Sequence, residues 1–150
     1  MLFRLAVMLS AALASSCATP PSFDQLLPIN PLDEPELRVR QEDVMTGFVR
    51  AYVVRSGSVT VYQERRSGHA MRIVITPATD RILGAAAGLA QYDQQSFSCG
   101  IVDGDIIQVE GVLDGRHFAL SAATPFLCQY QNAGSRDAFQ VLHLIDEVVG

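Results

Sequence analysis

The stretch Val109-Glu110-Gly111-Val112-Leu113-Asp114-Gly115-Arg116-His117-Phe118-Ala119-Leu120 decides the fold. Asp114-Gly115 stands between two strand-like runs, and a two-residue type I′ turn needs positive φ at both central positions, which Asp and Gly supply. Closing the turn with Leu113 opposite Arg116 fixes a register. It sets Gly111 against Phe118, so that a ring covers a glycine gap, and Val109 against Leu120. A β region over roughly 97 to 131 follows, with a further turn expected at Asp103-Gly104 and a looser one at Ala122-Ala123-Thr124-Pro125.

Working back along the chain, Val44 to Arg55 is rich in β-branched and aromatic residues and reads as one long strand, with Met45, Val49, Ala51 and Val53 on one face. Ser56-Gly57 and Arg65-Arg66-Ser67-Gly68-His69 supply turns, and Met71, Ile73 and Ile75 alternate with shorter or charged residues. Residues 44 to 76 therefore read as a three-stranded meander. Thr76-Pro77 opens a middle helix over 77 to 91, capped by threonine and carrying Asp80 in its first turn. Gly84 and Gly88 on it suit close packing on a sheet. A second helix, from about Arg136 to Val148 with Ser135 as its cap, shows a broad apolar face of Ala138, Val141, Leu142, Ile145, Val148 and Val149. The expected class is α+β: two antiparallel β meanders with a middle helix and a C-terminal helix.

The N-terminus carries an address. Arg4 gives a positive start, Leu5 to Leu13 an apolar run too short to span a bilayer, and Ala14-Ser15-Ser16 the small residues of a cleavage site. Leu13-Ala14-Ser15-Ser16-Cys17 resembles the lipobox of bacterial lipoproteins, with the leucine one position further from the cysteine than is usual. The resemblance implies removal of residues 1–16, acylation of Cys17 as a membrane anchor, and, with Ala18 next, residence on the periplasmic face of the outer membrane. Ala12-Leu13-Ala14 offers the alternative, cleavage by an ordinary secretory peptidase to leave a soluble periplasmic protein.

With Cys17 taken by lipid, the two remaining thiols, Cys99 and Cys128, are left to pair in an oxidising compartment. Their bridge would close a loop of about 28 residues and stabilise by roughly 3 to 4 kcal/mol. Cys99 falls on the first expected strand of the second β region and Cys128 on its last. Residues 17–36 contain Pro20, Pro21, Pro28, Pro31 and Pro35 and read as a proline-rich tether reaching up to roughly 60 Å when extended, ahead of a globular domain over 37–150. The alternative is an arm packed on the domain through Leu26, Leu27, Ile29 and Leu32.

Charge is divided. All 11 basic residues are arginine, with a net charge of -5. Arg50, Arg65, Arg66 and Arg72 fall in the basic first half of the domain and are candidate binding residues for an acidic envelope protein or a polyanionic envelope component. The opposing account is mutual neutralisation of a basic half and an acidic half across the fold. An acidic exported chain without a basic aromatic surface motif excludes nucleic acid as the expected partner. His69, His117 and His143 belong to three different elements, no G-x-S-x-G or phosphate-cradling loop occurs, and no metal or cofactor is expected. The sequence thus points to a lipid-anchored, non-catalytic binding or envelope-assembly component; an enzyme of unstated reaction and a periplasmic protein inhibitor are the alternatives.

Overall fold

The computed structural model describes residues 22–26, 28–30, 34–100 and 104–150. Its centre is one seven-stranded sheet, ordered β4-β3-β2-β1-β6-β7-β5. The strands are β1 (Glu36–Asp43), β2 (Phe48–Arg55), β3 (Ser58–Arg65), β4 (Gly68–Ile75), β5 (Gln95–Phe97), β6 (Asp105–Leu113) and β7 (Arg116–Ala123). Helices α1 (Thr79–Ala87), α2 (Pro125–Cys128) and α3 (Ala133–Val149) complete the described elements, with a 3-10 turn at Gly88–Tyr92. The mixed α+β class agrees with the sequence.

The two expected β regions are one sheet because β1 joins them, and the second is not an antiparallel meander: β5 lies at the edge, paired parallel with β7 and not with β6. β1 pairs antiparallel with β2 on one side and with β6 on the other. Periodicity does not announce this strand, because its even positions, Glu36, Arg38, Arg40 and Glu42, are charged while only Leu37 and Val39 are strongly apolar. On the sheet those charges satisfy one another. Glu36 takes Arg38 Nε and Arg55 Nε, each at 2.6 Å, and Arg40 reaches Glu42 at 2.6 Å. Glu36 and Arg55 are direct cross-strand partners.

The strand expected to begin at Val44 begins at Phe48. Asp43 ends β1 by accepting the N–H groups of Met45 (2.9 Å) and Thr46 (3.1 Å) on its side chain, and Gly47 at φ 66° closes the turn. Met45 consequently stands in solvent, 77% exposed, and takes no part in a strand face.

The Asp114-Gly115 hairpin has the expected register: Leu113 opposite Arg116, Gly111 opposite Phe118, Val109 opposite Leu120. Asp114 has φ 52° and Gly115 φ 71°, as a type I′ turn requires. Of the Asp103-Gly104 turn, residue 103 lies outside the described residues. Beyond β7 the chain makes α2 in place of a loose turn and strand, with Thr124 left-handed at φ 48° and Pro125 opening the helix.

Cys99 and Cys128 are bonded, with Cα atoms 5.5 Å apart, but neither lies on a strand. Cys99 follows β5 and Cys128 ends α2, so the bridge pins that short helix to the loop after the edge strand.

On one face, α1, the 3-10 turn and α3 cover Leu37, Val39, Tyr52, Val54, Val59, Val61, Val109, Phe118 and Leu120 with Ile82, Leu89, Val141, Leu142 and Ile145. α3 starts three residues before its expected start. Asn132 Oδ1 accepts the Ser135 N–H at 2.7 Å, so asparagine is the cap and Ser135 is inside the helix. The middle helix ends as α-helix at Ala87 and tightens into the 3-10 turn; Gly84 and Gly88 are exposed, with nothing near an added Cβ, so they do not mediate its packing. Close packing falls instead to Gly134, whose Cβ would sit 2.2 Å from the Phe97 ring.

The opposite face carries a second, smaller apolar cluster. Phe23 and Leu26 rest on Ala51, Val53 and Tyr62, the Phe23 and Tyr62 rings meeting edge to face at 5.8 Å. The Phe23 N–H donates to Glu64 Oε1 at 3.0 Å, and Ile29 is buried. The described part of the proline-rich segment is therefore held against the sheet.

Candidate binding groove

The pleat places Gln41 and Asp43 of β1, Phe48 and Arg50 of β2, Gln63 and Arg65 of β3, and Asp105 and Ile107 of β6 on the helix-bearing face. They lie toward the strand ends that α1 and α3 leave uncovered, and recesses there adjoin through shared walls. The first, about 420 Å³, is lined by Ile107, Pro125, Phe126, Leu127, Phe139 and Leu142 and bounded by Gln41 and Asp105. Gln41 and Asp105 also wall a smaller recess with Asp43, Phe48 and Arg50. Asp43 and Phe48 in turn line a third, of about 500 Å³, with Arg65 and Arg66, while Arg50 opens toward a fourth with Gln63, Arg72 and Asp146. The result is a groove across the sheet, apolar at the β6 side and cationic at the β3 side.

At the apolar end, Phe126 (60% exposed) meets Phe139 edge to face at 5.6 Å. The disulfide at Cys128 positions this wall by fixing α2. In the middle, Gln41 Nε2 donates to Asp105 Oδ2. Asp43 has its pKa held below the ordinary value by the Thr46 hydroxyl and by the N–H groups of Thr46 and Met45, so it stays ionised.

At the cationic end, Phe48 is flanked by two guanidinium groups, Arg65 at 5.2 Å and Arg50 at 5.8 Å from the ring centroid. Arg50 also approaches Asp146 at 3.8 Å, and its Nε is buried with no hydrogen-bond partner among the described residues. Arg72 donates to the Val149 carbonyl at 2.7 Å, where the α3 dipole is negative. Tyr52, beside them, has its pKa raised, first by burial and then by its bond to the Asp146 carboxylate.

The four candidate arginines line the cationic end of the groove but engage different neighbours. Arg50 and Arg72 lie under the end of α3, Arg65 stacks on Phe48, and Arg66 occupies the β3–β4 turn. Neutralisation between the halves is visible in Arg50 with Asp146 and Arg81 with Glu147, each at 3.8 Å. Cys17 lies outside the described residues. Sequence reasoning missed Phe48, Phe126 and Phe139; the available signal was a run of large apolar residues, Pro125-Phe126-Leu127, at a place where a polar turn was expected.

The histidines stay apart. His69 is on β4 at one edge, His117 on β7 with Glu110 at 2.9 Å, and His143 on α3 stacked on Phe139. Five strand spacings, about 24 Å, separate the first two. No group of three metal-ligating side chains occurs among the described residues, and no described helix is long and apolar enough to cross a membrane. Comparison with protein families and with curated proteins returns no match for this chain.

Proposed function

We propose that the protein is a lipoprotein anchored through Cys17 to the periplasmic face of the outer membrane, acting as a non-catalytic binding or envelope-assembly component. The groove supports the binding part of this reading. Its occupant is an exposed segment of an envelope protein that offers an apolar side chain to the Ile107, Phe126 and Phe139 end and a carboxylate to Arg65 and Arg50.

The single observation behind this choice is the alternation of sign along one groove. Asp43, Asp105 and Asp146 stand among the arginines, so a polyanion would meet like charge within a few ångströms, whereas a segment carrying one acid beside apolar residues would not. From β6 to β3 the groove spans three strand spacings, about 14 Å, the reach of roughly four extended residues.

Two experiments test the reading separately. Globomycin should cause the unprocessed precursor to accumulate, and Cys17→Ala should abolish lipid labelling and detergent partitioning; normal processing with the inhibitor present removes the anchor. A photo-crosslinking residue at Phe126 or Arg65 of the membrane-bound protein should trap the same envelope protein from both ends of the groove. The same residue at Gln91, on the 3-10 turn, should trap nothing reproducible. Equal trapping from all three positions removes the groove as the binding site.

A further inference from the structure

The sheet treats its two edges differently. β5 ends one edge with only three residues, two of them exposed and polar, Gln95 and Ser96. β4 ends the other with eight residues and no proline, and turns Met71, Ile73 and Ile75 outward on the face opposite the helices, 37%, 59% and 80% exposed. Such a row is ordinarily blunted by charge or covered. Its one arginine, Arg72, points to the other face, bound to Val149.

What covers the row follows from where the N-terminal segment is seated. Met71 is the direct cross-strand partner of Tyr62, and Tyr62 carries the Phe23 ring. The apolar row therefore lies one strand away from the point at which residues 22–26 meet the sheet. Between Cys17 and Ser22 there are five Cα steps, which span at most about 18 Å when fully extended. An acylated Cys17 would hold the point where residues 22–26 meet this face within that distance of the lipid.

We propose that Met71, Ile73 and Ile75 form a membrane-contact strip, seated in the interfacial region of the bilayer to which Cys17 is anchored. The inference rests on the lipoprotein reading above. Apolar side chains in the interface add to the hold of the acyl chains. The groove occupies the opposite face and opens away from the membrane, toward a partner.

The test uses the full, processed chain in vesicles of phosphatidylethanolamine and phosphatidylglycerol, with its native disulfide intact. An environment-sensitive fluorophore is placed on Ile73→Cys, Ile75→Cys or, on the exposed surface of α3, Gln140→Cys. Labels at 73 and 75 should shift to shorter wavelength and lose emission to a nitroxide carried on lipid; the label at 140 should do neither. Water-like emission at 73 and 75 on a protein whose mass shows an acylated Cys17 overturns the strip and leaves the anchor standing. A mass showing cleavage after Ala14 overturns the anchor, and the strip with it. A blue shift without lipid quenching, accompanied by 73-to-73 crosslinking, assigns the row to a second copy of the chain and overturns the membrane contact.

Discussion

The Tyr52 hydroxyl donates to Asp146 Oδ1 at 2.6 Å, joining the second strand to the last turns of the C-terminal helix across 94 residues of sequence. Tyr52 is fully buried, so its oxygen has no water to fall back on, and Arg50 approaches the same carboxylate. The pair fixes where α3 ends on the sheet and hence where the cationic end of the groove begins.

Tyr52→Phe should cost about 1 to 2 kcal/mol, the worth of a hydrogen bond to a partly exposed charged acceptor. Urea unfolding measures it. The loss should shrink when Asp146 is already alanine, and equal losses in both backgrounds would show that the bond is not the cause.

Gly134→Ala should destabilise by about 1 to 3 kcal/mol, because the new methyl enters the space of the Phe97 ring. That ring is itself backed by Tyr92 at 5.3 Å, which limits its retreat. Phe97→Leu in the same chain should recover part of the loss, and a thermal-unfolding cycle of the four proteins reads the coupling.

Replacing both Cys99 and Cys128 by serine should lower stability by about 3 kcal/mol on the loop-entropy account. The effect should be local as well. α2 is only four residues long and loses its covalent tie, so hydrogen exchange at Phe126 to Gln129 should quicken more than exchange in β2.

Acid should expose the role of Asp93. Its carboxylate accepts the Ala119 N–H at 2.9 Å, the first cause of a pKa below the usual 3.8, with Gln94 adding to it. Because the folded chain favours the ionised form, this contribution is complete above the ordinary aspartate pKa and disappears as pH falls through the lower folded-state value. Asp93→Ala should therefore flatten the acid limb of the stability profile below about pH 4 while leaving the neutral limb parallel to the parent. Unchanged acid sensitivity in Asp93→Ala would contradict this.

Periodicity carried the reading wherever a rule acts between neighbours. The Asp114-Gly115 register, the β3–β4 hairpin and the apolar stripe of α3 are local consequences of turn chemistry and side-chain spacing. β1 escaped because its charges look solvated in isolation and are paired only once Arg55 arrives from the next strand. The groove escaped more completely. Phe48, Arg65, Asp105 and Phe126 come from β2, β3, β6 and α2, and no spacing along the chain announces that they share a face.

The sequence by itself determined the α+β class and the register of its strongest hairpin, because each depends on residue type at short range. Only the tertiary structure decided that β1 fuses the two β regions into one sheet, that the arginines divide among different partners, and that residues 22–26 seat on the face opposite the helices. These depend on which distant residues meet, and that is settled by burying apolar surface and satisfying charge over the whole chain at once.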